Sequence, residues 1–194
     1  MEEYYFTNPK YEIKHIQLNG AKDILLRGLR YYIGEKAQWL QKYEDIAEWL
    51  TDNHCKGLFL SGDNGLGKTV ICTKVIPAIF KYYLKFGFFY YDAIRLSECY
   101  KNAIDNYNLI VSREPIIIDD IGVESIGDNF GEKHDYFSEI VDDAEKRGRL
   151  LIITSNLTID ELTERYGRRT VDRLKAITHA IAIKGESLRG VERL

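Results

Sequence analysis

Five short apolar runs punctuate this chain: Gly57 to Leu60, Phe86 to Tyr91, Pro115 to Ile118, Leu150 to Thr154 and Ala180 to Ile183. None alternates cleanly between apolar and polar residues, as a strand with one wet face would, so they read as strands covered on both sides. Between them lie stretches with apolar residues at helical spacing: Ala21 to Arg30, Glu35 to Leu50, Thr69 to Tyr83, Ala93 to Asn108, His134 to Arg147, Ile159 to Tyr166 and Arg168 to Lys175. Trp39, Leu40, Tyr43, Ile46, Ala47 and Leu50 fall on one helix face, most simply a core-facing stripe. Gly34 breaks the first two helices apart, and Pro77 is expected to kink the third. Strands alternating with helices predict an α/β fold with a parallel sheet and helices on both faces. The stretch from Glu124 to Lys133 has no periodicity and is expected to be a mobile loop.

Composition narrows the class. The chain has 194 residues, enough for one well-buried core, and a formal net charge of −3, which is not the global signature of a nucleic-acid-binding polycation. Cys55, Cys72 and Cys99 are odd in number and widely spaced, which indicates neither a disulfide framework nor a C-x-x-C metal site. No apolar stretch approaches the roughly 20 residues that span a bilayer. The acidic, tyrosine-rich start is unlike a signal peptide. The expectation is a cytoplasmic protein with no membrane partner.

The most specific chemistry follows the first strand. Gly62, Asp63, Asn64, Gly65, Leu66, Gly67, Lys68 and Thr69 match the P-loop spacing G-x-x-x-x-G-K-[ST] in full, between an apolar strand and a helix, as that motif requires. The glycines let the backbone wrap phosphates closely, Lys68 is placed to reach the β and γ phosphates, and the Thr69 hydroxyl is placed to ligate Mg²⁺. ATP and Mg²⁺ are therefore the expected cofactors.

Further pieces sit at the ends of later strands. Asp119 and Asp120 close the Pro115 to Ile118 run at the edge where open α/β sheets bind ligands. Asp119 is the candidate to share the metal with Thr69, and Asp120 to orient or deprotonate the attacking water. The plain alternative is an acid pair that ends a strand and caps a turn. Asn156, after the next strand, is a candidate to bridge the γ phosphate and the water; the alternative is a helix cap, although that helix has its own cap candidates in Thr158 and Asp160. Arg165, Arg168, Arg169 and Arg173 cluster in one short region. They suit either a solvated face or a phosphate cluster at a subunit boundary, for which position favours Arg173.

Absent motifs prune the P-loop classes. Asp119 to Gly122 matches the D-x-x-G of GTPases, but no Asn-Lys-x-Asp follows to read guanine. A polar residue on a strand between the acids and the nucleotide points to the additional-strand ATPases.

Five blocks, Gly62 to Thr69, Ile117 to Glu124, Ile153 to Leu157, Val171 to Leu174 and Gly185 to Arg189, together resemble the DnaC/IstB group of AAA+ ATPases, which holds bacterial replicative helicase loaders and transposition helpers. The resemblance runs from about Tyr43 to Arg189. It implies a five-stranded sheet in the order 5-1-4-3-2 without a separate lid domain, in a core over 36–194 with an extension over 1–35. It also implies ATP with Mg²⁺ at a subunit interface, binding of single-stranded or duplex DNA, and assembly into rings or spirals. Asp119 and Asp120 match the acids that bind metal and activate water, Asn156 matches sensor 1, and Arg173 matches the finger that acts on a neighbour's ATP. Arg189 matches a family position without an assigned role.

Two features depart from that group. Loaders carry an extra helicase-gripping domain, whereas about 60 residues precede the P-loop here. The chain is acidic overall, although Lys146, Arg147, Arg149, Arg165, Arg168, Arg169, Arg173 and Lys175 make its C-terminal third locally basic and able to contact phosphates. The leading expectation is thus an ATPase of replication or transposition, with a replicative helicase or a transposase as partner. Competing with it are a nucleotide-switched adaptor that uses Tyr4, Tyr5, Phe6 and Tyr11 as a partner surface, and a small-molecule phosphotransferase.

Overall fold

A computed structural model describes residues 13–35, 37, 39–102, 107, 108, 110, 115–124 and 136–185. Tyr4, Tyr5, Phe6, Tyr11, Arg189 and most of the expected 124–133 loop lie outside the described residues. The strands are β1 (Gly57–Gly62), β2 (Phe89–Asp92), β3 (Ile116–Ile121), β4 (Leu151–Ser155) and β5 (Thr178–Ile183). They form one sheet in the order β2-β3-β4-β1-β5, with every neighbouring pair parallel. That is the expected order read from the other edge. The three central strands β1, β3 and β4 are buried almost throughout, which is why their sequences read as unbroken apolar runs. Edge strand β2 is half exposed and β5 alternates.

The helices are α1 (Ala21–Ile33), α2 (Tyr43–Thr51), a helical run α3 over 68–84, α4 (Ala93–Asn102), α5 (Tyr136–Arg147), α6 (Ile159–Tyr166) and α7 (Arg168–Ile177). The expected helix over Glu35 to Leu50 is half that length. Its N-terminal part is a turn, with Tyr43 N–H donating to the Leu40 carbonyl, and Glu44 and Asp45 place negative charge where the helix then starts. Trp39 still reaches the core-facing stripe by packing edge-on against Tyr43, 5.8 Å between ring centres. In α3 the widened π-type turns Ile71–Val75 and Phe80–Leu84 flank Ile76–Ile79. Pro77 follows the first of them, where the widened turn accommodates its ring and its missing N–H. Of the cap candidates Thr158 and Asp160, Thr158 takes the position, in a capping box: its side chain accepts from Glu161 N–H, and the Glu161 carboxylate accepts from Thr158 N–H.

Residues 13–33 share the core with the sheet. Ile16, Leu25 and Leu29 are buried, and a Cβ on Gly28 would lie 2.6 Å from Val75 Cγ1, so α1 rests directly on α3. Asn53 ties down the entering strand-like segment, accepting from Ile16 N–H at 2.8 Å and donating to the Lys14 and Lys56 carbonyls at 2.9 Å each.

Candidate nucleotide site

The parallel sheet brings the C-terminal ends of β1, β3 and β4 to one edge, and the P-loop crosses it between β1 and α3. Gly62 cannot be replaced there: φ is +124°, and a Cβ would meet the Ile183 carbonyl oxygen of β5 at 1.9 Å. The loop is pinned from below as well. Asp63 N–H donates to the Ile183 carbonyl, the buried Tyr43 hydroxyl donates to the Leu66 carbonyl at 3.0 Å, and the Asp63 carboxylate accepts from Gly185 N–H at 3.2 Å. Burial pushes the Tyr43 phenol up to about 12, so it remains a donor at neutral pH.

The Lys68 ammonium, only 6% exposed with its residue, donates to the Gly62 and Asp63 carbonyls at 2.8 Å each and to Asn156 Oδ1 at 2.9 Å. Asn156 Nδ2 donates in turn to Asp120 Oδ1 at 2.6 Å. One carboxamide thus joins the P-loop lysine to an acid of the neighbouring strand, its acceptor facing the cation and its donor facing the anion. These residues line a cavity of about 260 Å³ together with Asn64, Gly65, Gly67, Thr69, Val70 and Ile33.

Consecutive residues of a regular strand point to opposite faces, which would separate Asp119 from Asp120. A bulge prevents this. Between Ile118 and Ile121 the pairing with β4 slips by one residue, and Asp120 takes φ +65°, a left-handed conformation that Asp tolerates better than most residues. Thr154 fixes the bulge, donating through its hydroxyl to Asp119 Oδ1 at 2.5 Å and accepting from Asp120 N–H at 2.8 Å. Gly122 completes the turn at φ +107°, where a Cβ would lie 2.4 Å from Leu157 Cδ1.

Asp119 is buried, and burial, reinforced by the neighbouring Asp120 charge, raises its pKa above the ordinary value; hydrogen bonds from Thr154 and Thr69 and the Lys68 charge pull the other way. Asp119, Thr69 and Lys68 are therefore in one electrostatic neighbourhood. A hard divalent cation fits this pair, because oxygen ligands suit it and its charge would offset the cost of a buried carboxylate.

Arg173 is not among the cavity-lining residues. It sits on α7 and pairs with Asp142 and, at 3.1 Å, with Glu145, both on α5. Arg169 faces Asp142 at 3.8 Å, Arg168 faces Asp172 at 3.6 Å, and Arg147 and Arg149 both reach Asp143. Glu124, expected at the head of a mobile loop, is instead 4% exposed and accepts from Gly122 N–H, Tyr166 and Arg165. Sequence reasoning assigned no site role to Ile33, Tyr43, Thr154 or Glu124. Thr154 had a usable signal, since a polar residue closing an apolar strand beside the acids needs a partner.

Residues 35–104 match the family model described as nephrocystin 3, N-terminal. No curated protein matches the chain. Among solved structures it is similar to a primosome component from Streptococcus pyogenes serotype M3 (17% identity, TM-score 0.56, over 90% of this chain and 88% of that one). It is similar also to the DnaC helicase loader (20%, 0.53, over 87% and 93%) and to AMPPCP-bound DnaA from Aquifex aeolicus (17%, 0.56, over 93% and 51%). With a P-loop between β1 and α3 and a parallel sheet in the order 5-1-4-3-2, the chain has the DnaC-like fold of the AAA+ P-loop NTPases.

Proposed function

We propose that the chain binds ATP with Mg²⁺ in the P-loop cavity, hydrolyses it slowly when alone, and couples nucleotide state to assembly on DNA as a helicase-loader-like replication factor. The observation that carries the proposal is the Lys68–Asn156–Asp120 chain of hydrogen bonds, which joins the P-loop, Asp120 of β3 and the end of β4 around one cavity. Similarity to a primosome component and a helicase loader supports replication over a transposase-helper role.

Thr69 and Asp119 are the residues to hold Mg²⁺, which would neutralise charge developing on the β and γ phosphates. Lys68 exchanges the Gly62 and Asp63 carbonyls for phosphate oxygens. Asp120 accepts hydrogen bonds from the attacking water, and Asn156 fixes the water between Asp120 and the γ phosphate. Arg173, delivered by a neighbouring copy, stabilises transition-state charge from the far side. On this reading residues 36–194 are the nucleotide-responsive core, and the 1–35 extension contributes Ile33 to the cavity wall.

Phosphate release with and without DNA tests the proposal. Asp120→Asn should keep ATP affinity within a few fold and lower turnover by about 10²-fold or more; unchanged turnover would remove the water-activating role. A second reading, a nucleotide-switched adaptor without DNA contact, is favoured by one observation: Arg147, Arg149, Arg165, Arg168, Arg169 and Arg173 all have carboxylate partners within the chain. Salt-dependent DNA binding in the presence of ATP supports the loader-like reading, and indifference to DNA supports the adaptor.

A further inference from the structure

A groove of about 720 Å³ lies between α1 and the second half of α3, and it shares no lining residue with the phosphate cavity. Its floor is apolar and already packed: Ile24, Val75 and Ile79 are buried in the core and Ala78 is half-buried, so the apolar area open to a partner lies mostly on the tyrosine rings. Its rims carry tyrosines that the fold leaves in solvent: Tyr31 is 82% exposed and Tyr82 70%. Each is paired edge-on with a neighbour, Tyr31 with Tyr32 at 4.9 Å and Tyr82 with Tyr83 at 4.8 Å, so the rings are held in place. Arg27 contributes to this order by donating to the Tyr83 hydroxyl at 3.3 Å, and Lys85 by lying 5.3 Å over the Tyr82 ring.

The charge is one-sided. Among the described residues Arg27, Lys81 and Lys85 line the groove and no carboxylate does, a reversal of sign in a chain of net charge −3. Exposed, pre-ordered tyrosines around an apolar trough are the composition of a binding hot spot, where rigid rings bury large areas at low entropic cost.

We propose that this groove docks an amphipathic helix of a partner protein, with the partner's apolar stripe against Ala78 and the Tyr31, Tyr32, Tyr82 and Tyr83 rings and acidic residues on its flank facing Arg27, Lys81 and Lys85. A helix fits because the groove runs between two helices and, among the described residues, no strand edge lines it for an extended peptide to pair with. Along α1 the lining runs from Ile24 to Tyr32, a trough of about 12 Å with room for about two turns. The proposal is independent of ATP hydrolysis, and each can fail alone.

The test is fluorescence anisotropy with three labelled probes: a helical peptide of about 16 residues carrying a leucine stripe and glutamate flanks, the same peptide with lysine flanks, and a thymidine oligonucleotide. The glutamate peptide should bind about tenfold or more tightly than the lysine peptide and weaken as salt is raised. Arg27→Glu with Lys81→Glu, and separately Tyr31→Ser with Tyr82→Ser, should each weaken it about tenfold or more, with circular dichroism and ATP binding unchanged. Failure of the glutamate peptide to bind, equal binding of both peptides, retention of binding in the variants, or displacement of the peptide by the oligonucleotide would overturn the proposal.

Discussion

Asn156 is the residue on which the site closes, because it alone among the described residues hydrogen-bonds both Lys68 and Asp120. Asn156→Ala should therefore lower single-turnover hydrolysis by about 10- to 100-fold while ATP affinity changes only a few fold; parallel loss of both would show that it merely shapes the pocket. At this scale the position of the Gly62 to Thr69 loop was legible, since the spacing calls for a strand before it and a helix after it, and both are present. The conformation of the acids was not. Adjacent residues of a regular strand point to opposite faces, and the bulge held by Thr154 puts Asp120 on the cavity lining while Asp119 lies outside that lining, bonded to Thr154 and beside Thr69. Glu124 also escaped, because a carboxylate in a turn-rich stretch looks solvated until Arg165 and Tyr166, some forty residues later, fold over it.

Elements were legible in kind and less so in extent. The apolar runs located all five strands, but α2 begins at Tyr43 because periodicity at Trp39 and Tyr43 serves a turn as well as a helix. The segment before α1 gave no periodic signal. It is held by side chains, and that predicts a pH dependence. Asp52 is lowered from 3.8 to about 2, first by the His54 backbone N–H and then by His15 and Gln17. A depressed carboxylate stabilises the fold above its unfolded value and loses that contribution as pH falls through its folded value. Asp52→Asn should thus lower the Tm at neutral pH, and the difference from wild type should close as pH falls from about 4 to about 2. Neighbouring Asn53→Ala removes hydrogen bonds from a buried site and should cost about 2–3 kcal/mol in urea unfolding. A near-neutral result would mean that this segment is not tied to the core in solution.

For the whole molecule, the alternation of strand and helix implies a parallel sheet, and the order of its strands followed from the resemblance and is present in the structure. Arg173 faces α5 and not its own P-loop, so a role in hydrolysis would have to be played on a neighbouring copy. If it acts on a neighbour, Lys68→Ala and Arg173→Ala proteins, each inactive alone, should regain about a quarter of wild-type turnover when mixed, since random head-to-tail contacts pair one intact loop with one intact arginine that often. No recovery at assembling concentrations would place Arg173 in a structural role. The central claim is simpler than any assembly: the P-loop and the β3 acids share one metal-bound nucleotide. Isothermal titration with ATP measures it directly. Saturable one-site uptake that requires magnesium and vanishes in Lys68→Ala is the expected result, and uptake indifferent to both, or none at all in the wild-type chain, would contradict it.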